Sequence, residues 1–212
     1  ALRNSLMPVF SLFPRLSKLF LLTVSVGFLV APPSARAENS DISDPFESYN
    51  RAIFSFNDKL DRHVVEPIAR GYRAVVPKPV RTGAHNVLTN LKSPLTIGNN
   101  LLQGDLSGAG DSTVRMIVNT LLGIGGIFDL AGSEGIKDQP EDFGQTLAVW
   151  GVGHGPYIVP PLLPPASLRD HTGALVDMYA DPVRLWLHNT DEDHWSYFRT
   201  GFGLLDTRTQ LI

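Results

Sequence analysis

Six histidines, at positions 63, 85, 154, 171, 188 and 194, are the side chains here best suited to proton transfer or metal ligation. Two patterns among them invite chemistry. His188 and His194 flank Asp191-Glu192-Asp193, a donor set that could be drawn as a cation site. The segment is polar and turn-like, however, and reads more simply as a solvated acidic loop. Arg169-Asp170-His171 could orient a base, but no nucleophile can be assigned to it. Triads assemble in space and not in sequence, so a secreted Ser/His/Asp hydrolase stays open as an alternative. Gly151-Val152-Gly153-His154-Gly155 has the look of a dinucleotide-binding turn. It lacks a flanking strand and a third glycine in register, and Pro156 follows at once. There is no G-x-S-x-G elbow, H-E-x-x-H pair or phosphate-binding loop. The pattern therefore assigns no catalytic residue, no metal ligand and no cofactor.

The elements that must carry these side chains are helical. Period-two alternation is nearly absent, and apolar residues recur at helical spacing. Asp44-Pro45-Phe46-Glu47 has the form of a helix start, with Asp44 as cap, Pro45 in the first position and Glu47 closing a capping box. Phe46, Tyr49, Ile53, Phe56 and Leu60 then share a face, read as a core face or, alternatively, as one that partly touches lipid. Pro67 restarts the pattern for a second helix to about Val75, and Pro77-Lys78-Pro79 is a hinge. Val80, Ala84, Val87, Leu88 and Leu91 mark a third helix. Ser93-Pro94 reads as cap and first position of a fourth, ending near Gly104. Asp105 or Ser107 opens a fifth, with Leu106, Ala109, Thr113, Met116, Ile117, Thr120, Leu121 and Ile124 on one face. Residues 132–142 read as a loop and Phe143 to Trp150 as a short helix. Ser167-Leu168-Arg169-Asp170 resembles another capping box, opening a helix through Tyr179. Asp181-Pro182 starts a short one, and Trp195, Phe198, Phe202, Leu205 and Thr209 stripe a last helix containing Gly201 and Gly203. The expected fold class is all-α, with roughly seven to nine short helices.

Charge divides the chain unevenly. Residues 1–37 hold four bases and no acid, whereas residues 38–212 hold all 21 acids and 14 of the 18 bases, a formal −7. Arg15 and Lys18 precede the apolar run Leu19 to Val30, and Ala35-Arg36-Ala37 is a small-x-small cleavage site. Residues 1–37 are thus expected to be a signal peptide cleaved after Ala37, with residues 38–43 a disordered lead. The chain opens on Ala1 and holds no cysteine. It is expected to form no disulfide, use no thiol chemistry and carry no acylated cysteine, which suits export to a Gram-negative periplasm. The acidic balance argues against nucleic acid as a partner.

Two segments remain that chemistry does not explain. Met116 to Phe128 is thirteen residues without a charge, with only Asn119 and Thr120 polar and three glycines. As a helix it would be about 20 Å long, short of the ~30 Å core of a bilayer. Gly151 to Pro165 carries glycines and prolines around Tyr157, Ile158, Val159, Leu162 and Leu163, an extended apolar loop where loops are normally polar. Each needs a dry surface: a core groove, another protein or lipid. Lipid handling fits these features better than catalysis, with a plain helical domain or a structural periplasmic protein as the other readings.

Several blocks occur together in order: DPFESYNRAIFSFNDKLD (Asp44–Asp61), PKPVRTGAHNVLTNLKSP (Pro77–Pro94), NNLLQGD (Asn99–Asp105), VNTLLGIGGIFDLA (Val118–Ala131), EDFGQTLAVWGVGHGPYIVPPLLPPASLRD (Glu141–Asp170) and TRTQL (Thr207–Leu211). As a set they resemble the MlaA/VacJ family of outer-membrane phospholipid-binding proteins, over a helical domain of residues 44–212. The resemblance implies a ring of helices in the periplasmic leaflet of the outer membrane, with an amphipathic channel for phospholipids mislaid in the outer leaflet. It implies transfer to a soluble periplasmic carrier, MlaC, retrograde transport that maintains lipid asymmetry, association with trimeric porins, and no catalysed reaction.

The best lipid-contact candidates are Leu121, Leu122, Ile124, Ile127 and Phe128, followed by Tyr157, Ile158, Val159 and Leu162. Core packing is the competing explanation for each. Asp44, Asn50 and Arg51 of the first block are accounted for by capping and local salt bridging. Two departures stand out. Family members are often anchored through an N-terminal cysteine, and the family usually continues past TRTQL with a further helical stretch, so a C-terminal tail is expected beyond Ile212.

Overall fold

Prolines and short polar caps start several of the helices. In the computed structural model, which describes residues 45–212, helix α1 spans Glu47–Leu60 and runs through a π-helical turn, Asp61–Val65, into α2, Glu66–Val75. The expected cap Asp44, the signal peptide and the polar lead lie outside the described residues. Phe46 occupies the cap position of α1, and Glu47 pairs with Arg51 at 2.6 Å. Pro67 follows directly on the π-helical turn, where its missing N–H removes one bond to the preceding turn.

Helix α3 spans Lys78–Gln103 as a single element of 26 residues, capped by Pro77. The expected break at Ser93-Pro94 does not occur; Pro94 lies inside the helix. Proline there removes the N–H that would bond the Asn90 carbonyl, and lengthwise packing against α4 holds the helix through it. Gly104, at φ 79°, ends α3. Helix α4, Leu106–Leu121, is capped by Asp105, which accepts from the Gly108 N–H at 2.9 Å. Short helix α5, Leu130–Ser133, occupies ground expected to be partly loop, and α6 is Phe143–Val149.

Strands β1, Tyr157–Ile158, and β2, Ala166–Ser167, pair antiparallel and close the proline-rich segment into a hairpin. Then follow α7, Leu168–Ala180, α8, Pro182–Asn189, and α9, Asp193–Gln210. Ser167 caps α7 as its position predicts: its hydroxyl accepts from the Asp170 N–H at 3.2 Å and donates to the Asp170 carboxylate at 2.7 Å, in place of the backbone bond of a full capping box. Asp181 caps α8. The chain is all-α apart from the two-residue strands.

What these helices bury departs from the expected faces. Among the described residues the buried apolar side chains are Ala69, Ala109, Ala131, Val159 and Leu187. Far more buried side chains are polar, among them Asn50, Asn99, Asn100, Ser112, Arg115, Asn119, Thr146, Asp181 and Asp206. On α4 the inward line is Ser112, Arg115 and Asn119, while Val114, Ile117 and Leu121 face out. Of the apolar face read in the sequence, Ala109 is buried, whereas Leu106, Ile117, Leu121 and Ile124 are exposed. The aromatic stripe of α1 is likewise exposed at Phe46, Tyr49 and Phe56. Trp195 and Phe198 of α9 are exposed too, stacked edge-on at 5.8 Å. Thr209, at the end of that stripe, is buried. Helical period is legible in the sequence, but period does not say which face turns inward.

Interior contacts are therefore made by polar pairs and by close backbone approach. Asp177 accepts from Asn99 Nδ2 at 3.0 Å and from the Phe143 N–H at 2.9 Å, and Thr146 donates to Asn99 Oδ1 at 2.9 Å. Beside this network α6 and α7 meet at Gly144 and Gly173. A Cβ on Gly173 would lie 2.1 Å from the Gly144 nitrogen. Gly173→Ala is expected to lower the unfolding free energy by about 3 kcal/mol, because backbone must move to admit the methyl group. Gly201→Ala, in α9 with nothing within 4 Å, should raise it by up to ~1 kcal/mol through helix propensity. Thermal unfolding followed by circular dichroism separates the two; similar shifts for both would refute the close-approach account.

Candidate functional site

The apolar segment after α4 is a turn and not a continuous helix. Helix α4 stops at Leu121, and residues 122–128 coil back on its last turn. The Gly125 N–H bonds the Thr120 carbonyl at 2.9 Å and the Gly126 N–H bonds that of Asn119 at 2.8 Å. Gly125 and Gly126 adopt positive φ, which glycine reaches without penalty. Ile124 does so as well, at φ 54°. For a β-branched residue this is strained by about 1–2 kcal/mol. The strain holds an isoleucine outward where a glycine would sit more easily.

The structure leaves most of the candidate residues on the surface. Leu121 is 73% exposed, and Leu122, Ile124, Ile127 and Phe128 are exposed with it. In the hairpin, Tyr157 and Leu162 are exposed, Ile158 is half-buried and Val159 is only 3% exposed. Val159 packs inward and so stands apart from the others. Two exposed apolar clusters result, one on the glycine turn and one on the hairpin.

Asparagines hold both. Asn50, on the inner face of α1, donates to the Tyr157 carbonyl at 2.9 Å and accepts from the Val159 N–H at 2.9 Å. Seven residues on, Asn57 donates to the Pro160 carbonyl at 3.0 Å and accepts from the Leu162 N–H at 2.9 Å. One helix face thus supplies both donor and acceptor to an irregular backbone. The histidine of the Arg169-Asp170-His171 pattern also serves this loop, with its Nε2 3.2 Å from the Ile158 carbonyl.

On α3, Asn86 donates to the Ile127 carbonyl at 3.0 Å and Asn90 to the Thr120 hydroxyl at 2.9 Å. Asn119 donates to Asp129 at 2.9 Å and accepts from the Ala131 N–H at 3.0 Å. Sequence alone does not single out these asparagines as functional. Neither capping nor a local salt bridge explains Asn50, whereas Arg51 does form its local pair. The signal available in the sequence is amides at inward positions of apolar helices.

Behind the glycine turn lies a charged centre. Arg115, 7% exposed, bonds Asp129 at 3.1 Å, donates to the Ile136 carbonyl and lies 3.6 Å from Asp138. Burial tends to raise the Asp129 pKa, but bonds from the Gly132 N–H, Asn119 and Arg115 outweigh it, and the carboxyl is held below its ordinary range. The remaining chemistry-bearing candidates stay local. His188 pairs with Asp193 at 3.1 Å and His194 with Glu192 at 3.3 Å, all near the surface. Among the described residues no three metal-ligating side chains come together. Residues 151–155 lead into the hairpin with no strand before them. No helix among the described residues is long and apolar enough to cross a membrane.

An inverted interior with apolar turns outside is what comparison with known proteins can place. The family profile described as MlaA lipoprotein matches residues 42–212. The chain belongs to the MlaA lipoprotein family. Within that family it is 38% identical over 174 residues to the Escherichia coli protein named intermembrane phospholipid transport system lipoprotein MlaA, covering 80% of this chain and 69% of that one. The Haemophilus influenzae protein of the same name is 34% identical over 81% of this chain and 68% of its own length. An uncharacterized Rickettsia felis protein is 38% identical over 73% of this chain. The match spans 62% of the length of that relative and 64% of its Rickettsia prowazekii counterpart. A solved structure, from work on the structural basis for maintenance of bacterial outer membrane lipid asymmetry, superposes with a TM-score of 0.70 at 35% identity, covering 80% of this chain and 84% of that one. The MlaA fold is thus the fold of this chain.

Two outcomes test the site's architecture. Asn50→Ala should leave the Val159 N–H without its acceptor, costing about 1–3 kcal/mol. Hydrogen exchange at Val159 should then quicken by roughly tenfold or more while α3 exchange is unchanged; unaltered exchange at Val159 would sink this account. Asp129→Asn should destabilise at neutral pH. The depressed folded pKa of Asp129 means its contribution is present above the unfolded carboxylate pKa and is lost as pH falls through the folded value. The stability gap between wild type and variant should therefore close in acid, which a pH series of chemical denaturation measures.

Proposed function

We propose that this protein resides at the periplasmic face of the outer membrane, removes mislocalised phospholipids from the outer leaflet and passes them to a periplasmic carrier of the MlaC kind for retrograde transport. In this reading its helices form a ring in one leaflet, it associates with trimeric porins, and its role is transport without a chemical step. The observation that carries the reading is the inversion of polarity, with amides and charges inside and leucine, isoleucine and phenylalanine outside. In water that arrangement exposes an unusual amount of large apolar surface. In acyl chains it is stable, provided every backbone group is paired internally.

Leu121, Leu122, Ile124, Ile127 and Phe128, with Tyr157 and Leu162, form the proposed acyl-chain contacts. They sit on turns tied down by asparagines, so they can meet lipid without exposing unpaired backbone. The E. coli and H. influenzae relatives are named for intermembrane phospholipid transport, and the same role is proposed for this chain.

Two experiments test this. In a strain lacking the gene, surface-exposed phospholipid and detergent sensitivity should both rise, and the wild-type gene should restore them; no change in either would overturn the transport role. In vesicle flotation, Leu121→Asp combined with Phe128→Asp should weaken bilayer binding by about a hundredfold or more, since an acidic residue in hydrocarbon costs about 2.5–3.5 kcal/mol. Equal flotation of variant and wild type would refute the assignment of this turn to lipid.

A further inference from the structure

Positive charge in this acidic chain gathers at the elbow between α2 and α3. No acid stands between Glu66 and Asp105, a stretch that holds Arg70, Arg73, Lys78, Arg81 and Lys92. Arg70 is paired with Glu66 at 2.6 Å. Arg73 and Lys78 are exposed and have no hydrogen-bond or ion-pair partner among the described residues. Arg81 turns back across the elbow, its Nε donating to the Val76 carbonyl at 3.1 Å. That bond uses one of the five N–H donors of a guanidinium.

Between these cations the elbow is apolar. Val75 is 81% exposed, and Ile68 and Val80 are exposed with it. Val76 and Pro77 run extended from one helix to the next, so aliphatic and basic side chains share one corner. The corner adjoins the glycine turn. Ile127 packs against α3 at Gly83, where a Cβ would come 3.1 Å from its Cγ2, and Asn86 holds the Ile127 carbonyl at 3.0 Å. Lys78 opens the same helix, about 8 Å along its axis from Gly83 at ~1.5 Å per residue. The far end of the α3–α4 pair has the opposite charge, with Asp105 and Asp111 and no base between Lys92 and Arg115.

We infer that this elbow is an anionic-headgroup contact. Resting on the lipid reading of the glycine turn, Arg73, Lys78 and Arg81 donate to phosphate oxygens of the leaflet into which the turn inserts. Apolar elements at a bilayer surface settle roughly 5–10 Å into the boundary between headgroups and acyl chains, which matches the rise from Ile127 to Lys78. Lysine and arginine stems lie along hydrocarbon while their charged ends stay at the phosphates, so Val75 and Val80 can sink beside them. An acidic protein face fits less well, because lysine is depleted in protein interfaces and such a face offers carboxylates but no hydrocarbon. The elbow thereby sets how deep the turn sits and which end of the α3–α4 pair meets the headgroups.

The test measures binding of the full chain, diluted from detergent, to vesicles of phosphatidylcholine alone and to vesicles in which a third of the lipid is phosphatidylglycerol. Binding should be about tenfold or more tighter on the anionic vesicles at low salt, and the preference should fade as salt screens the charges. Arg73→Gln combined with Lys78→Gln should weaken binding to anionic vesicles about twenty-fivefold, at roughly fivefold per base, and leave binding to neutral ones unchanged. Arg81 is kept, since its bond to Val76 shapes the elbow, and an unaltered circular dichroism melt shows that the double variant is folded. Arg51→Gln combined with Lys59→Gln removes the same charge from exposed positions of α1 and should leave the preference nearly unchanged; an equal loss from both pairs would overturn the elbow as the site. Equal affinity of the wild-type chain for the two vesicles would overturn the proposal, leave an acidic protein surface as the occupant and keep the lipid reading intact. Binding to neither would overturn the lipid reading and the elbow contact together. Inorganic phosphate should displace the protein no better than chloride at equal ionic strength; selective displacement by phosphate would overturn the lipid source.

Discussion

Both exposed apolar turns of this protein are held by amide side chains, and the arrangement depends on that pairing. A helix satisfies its own peptide groups, but turns and hairpins do not. Where the surroundings are apolar, water cannot make up the difference. Asn50 and Asn57 meet the hairpin with one donor and one acceptor each, and Asn86, Asn90 and Asn119 tie down the glycine turn and its flanks. Asparagine suits this task because its short amide offers both functions in one plane. Remove the amides and the exposed leucines and isoleucines would sit on backbone that no hydrocarbon could solvate.

The inverted interior follows from the same constraint. Large apolar residues cannot be both on the surface and inside as a core, so cohesion comes from elsewhere. Polar networks such as Asn99–Thr146–Asp177 supply part of it. Glycine contacts such as Gly144 against Gly173 supply another part, by letting backbones touch. Buried ion pairs add little net stability, because desolvation offsets attraction. Their value here lies in register: Arg199 finds Asp181, and Arg115 finds Asp129.

Much of the fold is legible in the chain. Asp105, Ser167 and Asp181 start helices where their spacing places them, and Gly104 ends α3. Pro94 misleads because a proline signals a boundary only locally, and long packing against α4 carries α3 past it. The thirteen-residue apolar run breaks as its three glycines predict, its second half becoming a turn. The lipid-contact candidates stand out by their apolar character. The asparagines beneath them do not, because an amide on a helix looks the same whether it faces solvent or a buried carbonyl. Which side is inside is a property of the surroundings and is not written in the period.

Arg208 near the end of α9 grips Asp61 at 2.8 Å and Glu66 at 3.0 Å, on either side of the π-helical turn that joins α1 to α2. The partners lie 147 and 142 residues apart in the chain. During synthesis the first helices therefore emerge long before the clasp that fixes their angle. The joint between the first two helices is thus set by a contact that can form only late in synthesis.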